Sequence, residues 1–276
     1  MAAAAPRSYL FVPGDRPERF DKALAAGADA VIIDLEDAVA PERKSTARLA
    51  VQQWLTARHN IVLRINAAGT PWFDEDVALA CHSGVAAVML PKAEDVQAVE
   101  ALASLRGSAN EPGPAVIPLI ETAAGYANVR ALAAARGVQR LAFGAIDFQL
   151  DLGLQASFDE LLPYRCEIVL ASRLAQRLPP VDSPSVLIDD LAEVEREALA
   201  ARRIGFGGKL CIHPRQVAGV NRSFSPSAAD IEWATRVLQA ASASGGAAVA
   251  LDGKMIDQPV ILRAQAILAC MSNLRP

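Results

Sequence analysis

The 276-residue chain has no C-x-x-C pair; its four cysteines, Cys81, Cys166, Cys211 and Cys270, stand far apart. That excludes a zinc ribbon and the disulfide framework of a small secreted domain, and leads us to expect free thiols buried in a core. No apolar run approaches the roughly 20 residues a membrane span needs. The opening MAAAAPRSYLF lacks the charged region and apolar core of a signal peptide. The expectation is a soluble chain of a reducing compartment, the cytoplasm, with no membrane partner. Basic residues form no block: 27 Lys and Arg are mixed among 31 Asp and Glu, for a net charge of −4, so no nucleic-acid partner is expected. Neither G-x-G-x-x-G, a P-loop, G-x-S-x-G nor a Ser-His-Asp order is present. GFGGK, residues 205–209, leads into a strand and is weak evidence for phosphate binding.

What is present is alternation. Strand-like runs, SYLFVPG, AVIIDLED, NIVLRIN, AAVMLPK, AVIPLIET, RLAFGAID and GKLCIHP, are separated by Ala- and Leu-rich helical stretches. One further strand is needed between RLAFGAID and GKLCIHP, either PPVD (179–182) or SVLIDD (185–190). A helix is expected from Glu160 to Arg177. Eight β/α units in a chain of this length predict an α/β fold, a (β/α)₈ TIM barrel. The barrel is expected over residues 1–223. Residues 224–276 exceed what a barrel requires and read as a C-terminal helical extension, a lid or an arm to a neighbouring subunit.

In such a barrel all strands end on one face, where the active site sits. VIIDLEDAV, residues 31–39, is then informative: an apolar strand runs out into Asp34, Glu36 and Asp37. Other strand ends carry Gly14 and Asp15, Arg64 and Asn66, Lys92, Glu121, Asp147 and His213. Glu121 and Asp147, from adjacent strands, suit Mg²⁺ or Mn²⁺, which take one or two carboxylates and complete their shell with water. The alternative is that both are solvated or helix N-terminal acids. Arg64 suits a carboxylate or a developing oxyanion, or an ion pair with the acids of 34–37. His213 is a base or a structural residue.

Eight motifs in order then resemble one family: RSYLFVPGDRPERFDKAL, AVIIDLEDAVAPERKSTAR, VLRIN, VMLPKAE, PLIETAAGYAN, LAFGAIDF, GFGGKLCIHPRQ and DGKMIDQP. The chain is similar to the citrate lyase β-subunit family and its stand-alone relatives that cleave malyl-CoA and citramalyl-CoA. The resemblance implies a Mg²⁺-dependent carbon–carbon lyase with Glu121 and Asp147 as metal ligands. It implies that Arg64 grips the reacting oxygen, that Asp34, Glu36 and Asp37 form an acidic cluster beside the metal, and that Glu121, Gly144 and Ala145 contact substrate. Asp257 matches an acid–base aspartate given to an adjacent subunit, which implies a homo-oligomer, a trimer or hexamer. The implied substrates are an acyl-CoA thioester and a 2-keto acid: oxaloacetate, glyoxylate or pyruvate. Arg16 and Lys22 are candidates for contacting CoA. Alternatives are the β-subunit of a citrate lyase complex acting on a carrier-bound citryl group, an aldolase on free 2-keto acids, and a non-catalytic CoA-binding protein.

Overall fold

Eight strands form: β1 (Ser8–Pro13), β2 (Ala30–Asp34), β3 (Ile61–Arg64), β4 (Val85–Leu90), β5 (Ala115–Ile120), β6 (Ala142–Phe143), β7 (Val181–Asp182) and β8 (Gly208–Cys211). All pair in parallel with their sequence neighbours, and β8 returns to β1 at Tyr9–Leu210, closing a barrel. The computed structural model describes residues 5–56, 60–105, 113–243 and 249–272. The helices are α1 (Phe20–Leu24), α2 (Lys44–Trp54), α3 (Phe73–Ala80), α4 (Val96–Ala103), α5 (Ala123–Ala127), α6 (Val129–Ala134), α7 (Ala145–Leu152), α8 (Leu162–Leu174), α9 (Leu191–Ile204) and α10 (Pro214–Ser223). The expected (β/α)₈ barrel is therefore the fold.

Both faces of a covered parallel sheet are buried, which is why these strands read as unbroken apolar runs. Alternate residues divide the labour. Tyr9, Ala30, Ile32, Val62, Met89, Ile117, Leu119, Ala142, Val181 and Leu210 fill the interior as one cluster. The residues between them, such as Val31, Ile33, Leu63, Val88 and Val116, are buried on the other face. The guanidinium of Arg140, fully buried, donates to the carbonyls of Pro6 and Pro179 and to the Tyr9 hydroxyl.

The seventh strand is the short one. Val181 pairs with Ala142 and Gly208, whereas Val186, Leu187 and Ile188 of SVLIDD are exposed outside any strand. Burial of charge explains this choice. Asp182 is wholly buried and accepts from Arg165 Nε and Lys209 Nζ, each at 2.8 Å, while Glu197 lies 3.3 Å from Lys209. Burial alone would raise the Asp182 pKa, but Lys209 and Arg165 outweigh it and hold the group below the usual carboxylate range.

Other expectations need correction. The runs AVIPLIET and RLAFGAID are strand only over Ala115–Ile120 and Ala142–Phe143; their ends lead into α5 and α7, with Thr122 Oγ1 accepting from Gly125 N at 3.0 Å as a cap. The helix expected over 160–177 is shorter at both ends, Leu162–Leu174. All four cysteines are free, but only Cys211 is buried; Cys166 and Cys270 lie on exposed positions of helices. No helix among the described residues is long and apolar enough to cross a membrane.

The chain divides into two compact units, the barrel (Pro6–Asn221) and a C-terminal unit beginning at Arg222. The latter contains α11 (Ala228–Ala243), an antiparallel hairpin of β9 (Val249–Leu251) and β10 (Lys254–Ile256), and α12 (Gln258–Ser272). Asp252 (φ 52°) and Gly253 (φ 71°) make the two-residue hairpin turn, a conformation that favours this pair. Ala234, Val237, Ile256 and Ala264 form the small core of this unit.

Asp182→Asn leaves two buried cations underpaired. The expected cost is about 3–5 kcal/mol of unfolding free energy at pH 7, read from urea unfolding midpoints. Because the native pKa of Asp182 is depressed, that difference persists down to about pH 4 and narrows only below it.

Candidate active site

The alternation that fills the barrel also selects the residues at its mouth. Continuing inward positions by two residues leads from Ile32 to Asp34, Val62 to Arg64, Leu119 to Glu121, Ala142 to Gly144, Val181 to Ser183 and Leu210 to Ile212. All six line one cavity of about 400 Å³ at the C-terminal ends of the strands, together with Asp37 and Asp147. Six strands thus deliver residues separated by some 180 positions to a single site.

Asp34 and Arg64 are register partners on β2 and β3. Arg64 Nε donates to Asp34 Oδ1 at 2.7 Å and Nη2 to Oδ2 at 2.6 Å, a two-point pair. Asp34 also accepts the backbone N–H of Glu36 (2.9 Å) and of Ala38 (3.2 Å), so it is saturated. Glu36 follows, buried, with Oε2 3.0 Å from Arg64 Nη1 and Oε1 2.5 Å from Lys92 Nζ. Burial opposes the charge on Arg64, but Asp34 and Glu36 outweigh it and raise its pKa above the ordinary arginine value. For Glu36 the balance goes the other way: burial raises its pKa despite the pull of Arg64 and Lys92. The Phe11 ring centroid lies 4.8 Å from the Arg64 guanidinium carbon, a cation–π contact.

Glu121 is 1% exposed. Its Oε1 accepts the backbone N–H of Lys92 at 2.8 Å. Lys92 makes that bond from φ 46°, a left-handed conformation costly for a residue with a side chain. Its backbone therefore orients Glu121 while its side chain holds Glu36. The other carboxylate oxygen, Oε2, lies against Gly144, where a Cβ would stand only 2.6 Å away. Burial, and then the nearness of Glu36, push the Glu121 pKa up to about 8. Asp147, half-buried in the first turn of α7, completes the wall.

These groups fit a hard divalent cation. Five carboxylates, Asp34, Glu36, Asp37, Glu121 and Asp147, share the rim with two cations that contact them, Arg64 and Lys92. Glu36 Oε2 is buried with no aligned hydrogen-bond donor among the described residues, and Gly144 keeps the space beside Glu121 Oε2 open. No group of three or more His, Cys, Asp or Glu among the described residues is set to surround a metal alone. Two carboxylates with water and substrate oxygens are what Mg²⁺ accepts, and its binding would favour the charged form of Glu121.

The remaining sequence candidates are placed as follows. Asp37 is 58% exposed and stands 3.9 Å from Lys92 Nζ. The N–H of Gly144 donates to Ile120 O (3.0 Å) and that of Ala145 to Ser183 Oγ (3.1 Å), so both amides are engaged within the fold. His213 Nδ1 accepts Arg215 N at 3.2 Å, a local turn at the start of α10. Asp15 pairs with Arg43 at 3.0 Å, and Arg16 lies 3.8 Å from Asp15. Lys22 lines a second cavity of about 480 Å³ with Arg19 and His213, which shares Phe11, Pro13 and Ile212 with the first. Asp257, in the C-terminal unit, is exposed and accepts Val260 N at 3.3 Å, capping α12. Sequence reasoning missed Ser183, Arg19 and the double role of Lys92. Period-two counting from PPVD would have found Ser183; nothing local announces the left-handed backbone at Lys92.

Gly144→Ala should weaken Mg²⁺ binding at least about 10-fold by displacing Glu121, with an unchanged circular dichroism spectrum. Titration calorimetry measures this; equal affinity in the two proteins would show that Glu121 does not hold the ion.

The model of the HpcH/HpaI aldolase/citrate lyase family matches residues 7–214. The citrate lyase subunit beta-like protein of Mycobacterium tuberculosis is 38% identical over 275 residues, covering 97% of this chain and 96% of that protein. The L-malyl-CoA/beta-methylmalyl-CoA lyase of Cereibacter sphaeroides is 31% identical over 296 residues, covering 95% and 93%. The crystal structure of protein CitE from M. tuberculosis in complex with magnesium, acetoacetate and coenzyme A superposes with a TM-score of 0.86 at 36% identity, covering 98% of this chain and 99% of that one. With the family model matching residues 7–214 and a relative 38% identical over nearly the whole length of both chains, the chain belongs to the HpcH/HpaI aldolase/citrate lyase family.

Proposed function

We propose that this enzyme is a Mg²⁺-dependent carbon–carbon lyase that cleaves a 3-hydroxyacyl-CoA thioester to acetyl-CoA and a 2-keto acid. The observation that carries the reading is the convergence of Arg64, Glu121 and Asp147 on one cavity whose acids outnumber its cations. The adjoining cavity, with Arg19 and Lys22, offers cationic groups for the phosphates of CoA while the thioester enters the first. The neighbouring CitE structures, one with magnesium, acetoacetate and coenzyme A and others with magnesium and pyruvate or oxaloacetate, support a site that takes a metal, an oxo acid and CoA.

The proposed chemistry follows from charge. Mg²⁺, held by Glu121 and Asp147, would supply Lewis-acid polarisation of the substrate's hydroxyl and carboxylate oxygens. Arg64 faces the oxygen that gains negative charge as the hydroxyl passes its proton to solvent water and becomes the ketone. The bond between the carbinol carbon and the thioester α-carbon breaks, and its electron pair passes to the thioester enolate. Asp257 in its neutral form gives that carbon a proton, yielding acetyl-CoA; the reverse reaction returns the proton to it. Asp34 and Glu36 keep the Arg64 guanidinium in place throughout.

Asp257 lies in the extension and is read as serving another protomer's site, in a homotrimer or hexamer. Exposed apolar residues support an oligomer: Leu150 is 81% exposed on α7 of the barrel, and Met255 is 71% exposed in the hairpin. The residues 1–223 and 224–276 are then a catalytic barrel and a complementing arm, in a cytoplasmic enzyme.

The test is cleavage of malyl-CoA, citramalyl-CoA and citryl-CoA by the purified protein with Mg²⁺, beside Glu121→Ala and Asp257→Ala. Turnover of one ester, lost by at least about 10³-fold in both variants, is expected. No turnover of any ester by a folded, Mg²⁺-binding protein would overturn the reading and favour a carrier-bound citryl substrate. Co-expressed Arg64→Ala and Asp257→Ala chains should regain activity that neither variant has alone, because one protomer's arginine then meets another's aspartate. No regain would place Asp257 in its own protomer's site or outside catalysis.

A further inference from the structure

The acidic rim of β2 is held from behind by a cation that no substrate can reach. Lys44, at the start of α2, is 5% exposed. Its ammonium donates to Leu35 O, Glu36 O and Asn66 Oδ1, each at 2.7 Å, so all three N–H groups are used. None of those acceptors is a carboxylate. A buried ammonium bound only by neutral groups forgoes the usual compensation for its desolvation. The acids Asp34, Glu36, Asp76 and Asp37 act on it only through space. Asn66 is itself fixed, donating to Leu35 O at 3.0 Å and to Asp76 Oδ2 at 2.6 Å, and Arg48 anchors Asp76 at 3.1 Å. The Trp72 ring lies 5.2 Å from the ammonium.

The two carbonyls that Lys44 grips belong to the turn between Asp34, which holds Arg64 at two points, and Glu36, which lies 3.0 Å from the same guanidinium. Fixing those peptides sets how the Glu36 N–H meets Asp34 Oδ1 and where the Glu36 side chain leaves the backbone. We propose that Lys44 is a positioning residue for the reaction, orienting the Asp34–Arg64–Glu36 group through the backbone of residues 35 and 36. The proposal rests on the lyase reading and deepens it by adding a residue that touches neither substrate nor metal. It separates two tasks that share one turn: the acids face the cavity, and the carbonyls between them face Lys44.

The test compares Lys44→Met and Lys44→Ala with the full-length enzyme, in thioester cleavage and in amide hydrogen exchange followed by mass spectrometry. A roughly 10- to 100-fold fall in kcat is expected, the scale for partners that orient a reacting group. KM for the thioester should stay within about 2-fold, because no substrate contact is removed. Exchange should quicken in peptides spanning residues 35–38 while β4 and β5 stay as protected as in the wild type. Propylammonium should restore part of kcat to Lys44→Ala and none to Lys44→Met, whose side chain still fills the slot. An unchanged kcat, or protection lost evenly across the barrel, overturns the proposal; the second result would make Lys44 a residue of global stability. Failure of the lyase reading is distinguishable, since the wild type would then cleave no thioester. Exchange at residues 35–38 would still decide whether Lys44 holds the rim.

Discussion

The mouth of this barrel depends on one ion pair, the two-point contact between Arg64 and Asp34 across adjacent strands. Asp34 is buried at the mouth and Arg64 is 11% exposed, so water does little to stabilise either charge. Removing either partner would strip the other of its two-point counter-charge. The pair also fixes direction: with Nε and Nη2 held by Asp34 and the ring of Phe11 against the guanidinium, Nη1 keeps two N–H groups for further contacts. Glu36 approaches Nη1 at 3.0 Å and leaves donors free for a substrate oxygen, and Lys92 and Lys44 in turn hold Glu36 by its side chain and its backbone. A rim that reads as three stray acids is thus a structured layer around one arginine.

What the protein's own cations leave unbalanced defines the rest of the site. Arg64 and Lys92 share the rim with five carboxylates, and burial first, then the nearness of Glu36, push the Glu121 pKa up to about 8. A divalent cation relieves that excess of acids without adding a side chain to the cavity. The left-handed backbone of Lys92 and the missing Cβ of Gly144 both cost conformational freedom, and both serve the position of the same Glu121 carboxylate. Convergence of two such features on one group favours a functional reading over a merely solvated acid.

The barrel was legible because its strands are buried on both faces and its helices are rich in Ala and Leu, so the alternation of type survives in the sequence. Asp34, Arg64 and Glu121 were legible because each ends an apolar run. The seventh strand was ambiguous for a physical reason: two paired residues suffice there, and the buried Asp182 with its two cations does the work that an apolar run does elsewhere. SVLIDD has the better strand composition and lies outside the sheet. Residues that act through the backbone left no pattern. Lys44 is indistinguishable from a solvated lysine at a helix start until Leu35, Glu36 and Asn66 are folded around it. Asp257 is visible only as part of a motif, since its own surroundings in the chain are an exposed helix cap.

The central claim is that Glu121 and its acidic surroundings form a divalent-cation site in the native fold. Thermal unfolding with and without Mg²⁺ tests this most directly, because an ion that binds only the folded state raises its stability. At about 100 times Kd the gain is about 2.7 kcal/mol, or a rise in Tm of about 5–10 °C for a chain of this size. The account predicts that rise in the wild type, saturating with Mg²⁺, and its absence in Glu121→Gln. No rise in the wild type, or an equal rise in both proteins, would contradict it.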